Sequence, residues 1–230
     1  MMISVIIPFL NEAAALPDTL LHLARATAHW RDVEVIAVDG GSTDASHAVV
    51  ASASCVPRPS VLAAERGRAR QQNAGAAAAR GDVLLFLHAD TALPERALVA
   101  IGDAASMAGF VYGGFHHRFS GNDWRLALIS ALHNYRCSKA LTFYGDQALF
   151  VARKAFERVG GFPDRQVEDI ALCEQLRELG RPAFLPDEIV TSARKFEQMG
   201  VWRSFARVLA ILLCRKTGRP LPQAFFADIR

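Results

Sequence analysis

The turn after the first strand-like run has no glycine. Pro8-Phe9-Leu10-Asn11-Glu12 stands where a dinucleotide-binding fold places G-x-G-x-x-G, so NAD or FAD binding is disfavoured. No G-x-x-x-x-G-K-[ST] occurs either, so the phosphates of any nucleotide must be neutralised in another way. Cysteine is scarce: Cys55, Cys137, Cys173 and Cys214 lie far apart with no C-x-x-C spacing. That is poor material for a zinc site, and a reduced, cytoplasmic compartment is the simplest expectation. No apolar run reaches the roughly 18 residues of a spanning helix. The opening Met1-Met2-Ile3-Ser4 lacks the basic region of a signal peptide, so the chain is expected to be soluble or, at most, to lie on a membrane. An excess of one charge is missing too. With 26 Lys and Arg against 23 Asp and Glu, the net charge of +3 is too mild to argue for nucleic-acid binding.

What is present is enough apolar sequence for a sizeable core, 51% of 230 residues, in one domain or two merged halves. The first hundred residues alternate short apolar runs with helical segments, the pattern of βαβ units. Strands are expected near 3–9, 33–39, 60–64 and 82–87, with helices near 16–29, 44–53, 67–79 and 94–106 between them. Pro17 suits a first helical turn, and Asp44 can cap the second helix. Helix 67–79 has almost only Ala and Gly at its apolar positions, which suits close packing on a sheet. After about residue 107 the rhythm changes. A strand is expected over 110–119, a helix over 122–136, a short strand over 149–152, and helices near 153–159, 168–179 and 198–214. The expected fold is α/β, a mostly parallel central sheet flanked by helices. Residues 1–106 form a nucleotide-binding half merged with a second half, 107–230.

Two strands end in carboxylates. One reads Val35-Ile36-Ala37-Val38-Asp39-Gly40-Gly41-Ser42-Thr43-Asp44, the other Val83-Leu84-Leu85-Phe86-Leu87-His88-Ala89-Asp90. Ligands of an open parallel sheet sit at the carboxyl ends of its strands, so both turns should face one crevice. Two carboxylates around a crevice suggest a nucleotide held with a divalent metal, and Asp90 is the natural metal ligand. Arg66, Arg68 and Arg70 bracket a glycine before a helix, where guanidinium groups and a helix N-terminus suit a diphosphate. The spacing does not say which arginine reaches it.

Ser4-Val5-Ile6-Ile7-Pro8 with Asn11-Glu12, then Val38-Asp39-Gly40-Gly41-Ser42-Thr43-Asp44, resemble the opening of family 2 glycosyltransferases of the GT-A fold. The match continues in order through Arg66, Asn73-Ala74-Gly75, His88-Ala89-Asp90, Gly145-Asp146-Gln147, Arg153, Gly160-Gly161-Phe162 and Glu168-Asp169, spanning about residues 3–196. It is nearest to small bacterial members with H-A-D where others carry D-x-D. The resemblance implies a UDP- or GDP-linked sugar donor, an acceptor hydroxyl, inversion, and a divalent cation, manganese or magnesium. It implies donor contacts at Pro8, Asn11, Glu12, Asp39, Arg66, Arg68, Asn73, His88, Ala89, Asp90, Gly145, Asp146 and Gln147, with the metal on Asp90. Asp169 is then the general base, and Glu168 assists it or binds the acceptor.

Each residue also has a plainer reading. Asp39 can cap a tight Gly-Gly turn, and acids in a first helical turn are favoured by the dipole whatever the function. His116 and His117 point to opposite faces of a strand and cannot share a metal. Trp202, Phe205, Leu209 and Leu212 recur at helical spacing, with Arg203, Arg207, Arg215 and Lys216 on the polar side. The sequence favours a packing or dimer helix there over a basic amphipathic helix on an anionic membrane. Two other functions compete with sugar transfer: a nucleotidyltransferase, which would normally show a Gly-rich basic loop after the first strand, and a binding module that has lost catalysis, for which His88 is the one supporting feature.

Overall fold

In the computed structural model, which describes residues 1–53, 57–165 and 167–217, β1 (Ile3–Phe9) is the central strand. All seven of its residues are buried. Ile3, Val5, Ile7 and Phe9 enter one hydrophobic cluster with α1 (Leu16–Thr27) and α4 (Ala97–Ala105), and Ile6 enters the other with α3 (Arg68–Ala78). A strand covered on both faces has no polar side to show, which is why its sequence reads as a continuous apolar run. Pro8 is tolerated in this central strand. The Ile6 carbonyl accepts from Leu87 N–H, so position 8 faces the same side, beyond the last pair with β4 (Val83–Phe86). No ladder bond is lost there.

The sheet has eight strands in the order β3-β2-β1-β4-β7-β6-β8-β5. Here β2 is Val33–Asp39, β3 Ser60–Ala63, β5 Thr91–Ala92, β6 Phe110–Phe119, β7 Phe150–Ala152 and β8 Arg181–Thr191. Four pairings are parallel (β1 with β2 and β4, β2 with β3, β6 with β8) and three antiparallel. Only β7 and β5 run against the rest. The carboxyl ends of β1, β2, β4, β6 and β8 therefore share one edge with the start of β7. Residues 87–90 alone join β4 to β5, yet β5 lies four places further along the order. So short a link forces the sheet to curl, bringing the end of β8 beside His88-Ala89-Asp90.

Around it lie α2 (Ser46–Ala51), α5 (Trp124–Ala140), a 3-10 turn (Gly145–Gln147), α6 (Arg153–Arg158), α7 (Glu168–Leu176), α8 (Arg194–Met199) and α9 (Val201–Thr217). The close packing expected of the Ala/Gly helix is realised at α3, where a Cβ on Gly75 would lie 2.5 Å from Ile6 Cγ2. Asp44 supports the start of α2 by accepting from Ser46 N–H at 2.9 Å. Three expectations need correction. The C-terminal helix is two helices broken at Gly200 (φ 86°), α5 runs on to Ala140, and β8 stands where no strand was expected. Of the C-terminal stripe, Trp202 and Leu209 are exposed in the single chain, while Phe205, against the Phe119 cluster, and Leu212 are half-buried.

Candidate active site

The expected site residues collect at the shared strand edge. Asn11 turns the chain out of β1 at φ 55°, a conformation Asn tolerates. Its Oδ1 accepts from Thr43 N at 2.8 Å, and Glu12 N donates to Ser46 Oγ at 2.7 Å, so the loops after β1 and β2 are bracketed together. Glu12 also pairs with Arg194 at 3.0 Å, joining the first loop to the start of α8. Asp39 caps its turn through Oδ1, which accepts from Gly41 N (3.1 Å) and Ser42 N (2.8 Å). Gln71 locks the base of this wall: its Nε2 donates to the carbonyls of Phe9 and Val38, both at 2.9 Å.

The second wall is β4's exit. Ala89 is buried and its carbonyl accepts from Thr19 Oγ1 at 2.8 Å, fixing the turn between His88 and Asp90. The Asp90 carbonyl accepts from Ser192 N at 3.2 Å, tying it to the end of β8. His88 packs against Gly145 so closely that a Cβ on Gly145 would collide with its Nε2. Gly145 N–H in turn donates to Asp169 Oδ2 at 2.9 Å. A chain of contacts thus runs from the H-A-D turn to the first turn of α7.

Asp169 is the carboxyl of the site whose pKa is raised. It is buried, and its Oδ1 has no hydrogen-bond partner among the described residues. Burial, reinforced by the neighbouring Glu168 charge, raises its pKa from an ordinary 3.8 to about 7, against the opposing pull of Arg68 and the Gly145 N–H. Asp146 behaves differently. Burial would raise it, but His117, His133, His88 and Arg68 hold it below the usual range. Burial lowers His133 to about 4 and lowers His117 as well, whereas Arg68 is charged throughout. The Arg68 charge pulls both carboxyls down.

This separates the three arginines. All three are exposed; Arg70 is taken by Glu65 (3.0 Å) and Asp164 (2.9 Å), and the Arg68 charge acts on Asp146 and Asp169. Two other expected residues spend their side chains on the protein itself. The Asn73 amide exchanges hydrogen bonds with Phe162 (2.8 and 2.9 Å) and so braces the Gly160-Gly161 turn. Gln147 is fully buried, donating to the Phe115 carbonyl at 3.0 Å and accepting from Tyr144 N at 3.1 Å. Sequence reasoning passed over His117 and His133, whose rings lie 5.2 Å apart and act electrostatically on Asp146. The nearest signal was the His116-His117 alternation, and it was discarded as a metal pair. His117 Nε2 lies 3.8 Å from Asp146 Oδ2.

Arranged this way, the site offers a strand-end carboxylate at Asp90, a guanidinium charge at Arg68, and a buried carboxyl at Asp169 whose pKa is raised to about 7. No cluster of three or more His, Cys, Asp or Glu placed to hold a metal exists among the described residues, so a preformed metal cage is not part of this set.

Solved structures with the same architecture define the class. A mannosyltransferase from Pyrobaculum calidifontis, in complex with GDP-Man and Mn2+, superposes with a TM-score of 0.74 at 24% identity, over 99% of this chain and 67% of that one. S. aureus TarS in complex with UDP-GlcNAc gives 0.67 at 18%, over 84% and 58%. The fold is that of GT-A glycosyltransferases. Residues 4–160 match the Glycosyl transferase family 2 profile, and the chain belongs to that family. Among curated relatives, an undecaprenyl-phosphate 4-deoxy-4-formamido-L-arabinose transferase of Aeromonas hydrophila is 31% identical over 144 residues, 60% of this chain and 44% of the relative. The Pseudomonas aeruginosa protein of the same name is 30% identical over 153 residues, 59% and 45%. The chain spans less than half the length of these relatives. Membership of a glycosyltransferase family replaces the nucleotidyltransferase alternative.

Proposed function

We propose that the chain moves a sugar from a UDP- or GDP-linked donor to an acceptor hydroxyl with inversion at the anomeric carbon, Asp169 acting as general base. The observation carrying this reading is the state of Asp169: buried at the start of α7, held through one oxygen by Gly145 N–H, its other oxygen without a partner among the described residues, and its pKa raised to about 7. A base poised near the working pH combines a useful ionised fraction with real proton affinity. An acceptor hydroxyl seated against α7 would donate to Oδ1, pass its proton there as its oxygen attacks the anomeric carbon, and leave the nucleoside diphosphate as the departing group. Glu168 favours the protonated form of Asp169 through its charge and lies where it could also meet the acceptor.

Asp39 and the bracketed loops after β1 and β2 would hold the nucleoside, and Arg68 the diphosphate. The solved neighbours named for complexes with GDP-Man and UDP-GlcNAc support a nucleotide-sugar donor. The hard oxygens of Asp90 fit a divalent cation, which Asp90 would hold, while Asp39 commits one oxygen to its own turn. When bound, such a cation supplies charge neutralisation for the departing diphosphate.

A thermal-shift screen of UDP- and GDP-sugars, with and without Mn2+, tests the reading. A true donor at about 100 times its Kd adds about 2.7 kcal/mol, a Tm rise of roughly 5–10 °C for a chain of this size. Stabilisation by one donor class, kept in Asp169→Asn, is expected. No stabilisation by any nucleotide sugar would contradict it.

A further inference from the structure

We propose that α5 and α9 together seat the protein on an anionic phospholipid surface. This does not depend on the sugar-transfer reading, and a failure of either leaves the other standing. Helix α5 uses one side for the core, burying Leu126, Ile129, Ser130 and Cys137. Its opposite side exposes Trp124, Leu128, Leu132 and Tyr135, whose spacing of four, four and three places them on one stripe. Helix α9 buries Val201 and Ser204 and exposes Trp202, Leu209 and Leu213. The stripes meet where Trp124 and Trp202, 68% and 48% exposed, touch edge-on with ring centroids 6.2 Å apart. Scattered exposed apolar residues are ordinary on a protein surface; two joined helical stripes of Trp, Tyr and Leu mark an interaction face.

The charge on the two helices chooses the occupant. Neither helix contains an Asp or Glu, while α5 carries Arg125, Arg136 and Lys139 and α9 carries Arg203, Arg207, Arg215 and Lys216. Arg136 turns inward over the Tyr144 ring at 4.6 Å, and Arg125 is paired with Asp123 at 2.7 Å. Lys139 and Arg203 are exposed beside the stripes. A second copy would set one net-basic face against another, which repels, since the adjacent Asp123 carboxylate is taken by Arg125. Apolar stripes with interfacial aromatics and flanking cations fit the headgroup boundary of an anionic bilayer, with both helices lying in its plane. No described helix is long and apolar enough to cross a membrane, so the contact is a surface one.

The full chain is sedimented with phosphatidylcholine vesicles made with and without phosphatidylglycerol, at low and high salt. Recruitment by the anionic vesicles that weakens with salt is expected. Leu132→Glu with Leu209→Glu, both at exposed positions, should abolish it without changing the melting curve. Lys139→Ala with Arg203→Ala should weaken partitioning roughly 25-fold, about fivefold for each basic residue. The proposal is overturned by no recruitment, by equal salt-insensitive recruitment to pure phosphatidylcholine, or by recruitment indifferent to the two glutamates. It is equally overturned if ultracentrifugation finds a dimer that those glutamates break while vesicles recruit nothing.

Discussion

Asp169→Asn should make the protein more stable at alkaline pH while removing its activity. Asp169 sits buried with its pKa raised from 3.8 to about 7. Between these values the folded state holds a proton that the unfolded chain has released, so stability falls as pH rises through this window and levels off above about 7. At about 1.4 kcal/mol for each pH unit, the ionised carboxylate destabilises the fold by on the order of 4 kcal/mol at pH 8. Asparagine removes that charge and can still accept from Gly145 N–H, but its amide N–H group, in the place of the unpartnered Oδ1, costs about 1–3 kcal/mol of unmet hydrogen bonding. The net gain expected at pH 8 is roughly 1–3 kcal/mol. It should shrink, and then change sign, as pH falls below about 5. Urea unfolding of both proteins from pH 5 to 8 measures this directly. A variant less stable than wild type at pH 8, or a difference that does not vary with pH, would refute the burial argument.

Three further outcomes follow from the same geometry. If Asp169 must be ionised to act, kcat/KM should fall tenfold per pH unit below about 7, and a flat profile between pH 5 and 8 would move the base elsewhere. Gly145→Ala puts a methyl against the His88 ring, 2.7 Å from Cε1, and overpacking of this kind costs roughly 1–3 kcal/mol; denaturant titration and donor affinity should both worsen. Asp90→Ala should change stability by less than about 0.5 kcal/mol yet abolish manganese-dependent donor binding in calorimetry, and undiminished binding would remove Asp90 from the metal role.

The first hundred residues were legible because their strands are continuous apolar runs and their helices carry ordinary start signals, as at Pro17. β8 was not, because Pro182, Pro186 and two acids interrupt it. The structure absorbs them by a register shift: Phe115 pairs with Leu185 and His116 with Glu188, leaving Pro186 and Asp187 out of the ladder. β5, at two residues, is too short to announce itself. At the site, the residue types and their order were readable, but their division of labour was not. Only tertiary contacts reveal that Arg70 is bound by Asp164, that Asn73 and Gln147 spend their amides on the backbone, and that Asp169 is buried rather than merely acidic at a helix start. Exposure of the α5 stripe escapes sequence for the same reason: apolar residues at helical spacing look alike whether or not anything covers them.

The most direct measurement is nucleoside diphosphate release from the donor identified by thermal shift, comparing wild type with Asp169→Asn at pH 8 at saturating donor, in the presence of acceptor. If Asp169 is the base of sugar transfer, the wild type should release the nucleoside diphosphate, the variant should be slower by about 10²–10⁴, and donor affinity should stay within a few-fold. Release by the variant at near wild-type rate would assign the base elsewhere, with Glu168 next in line. A wild type that binds donor but releases nothing with any acceptor would identify a binding module that has lost catalysis.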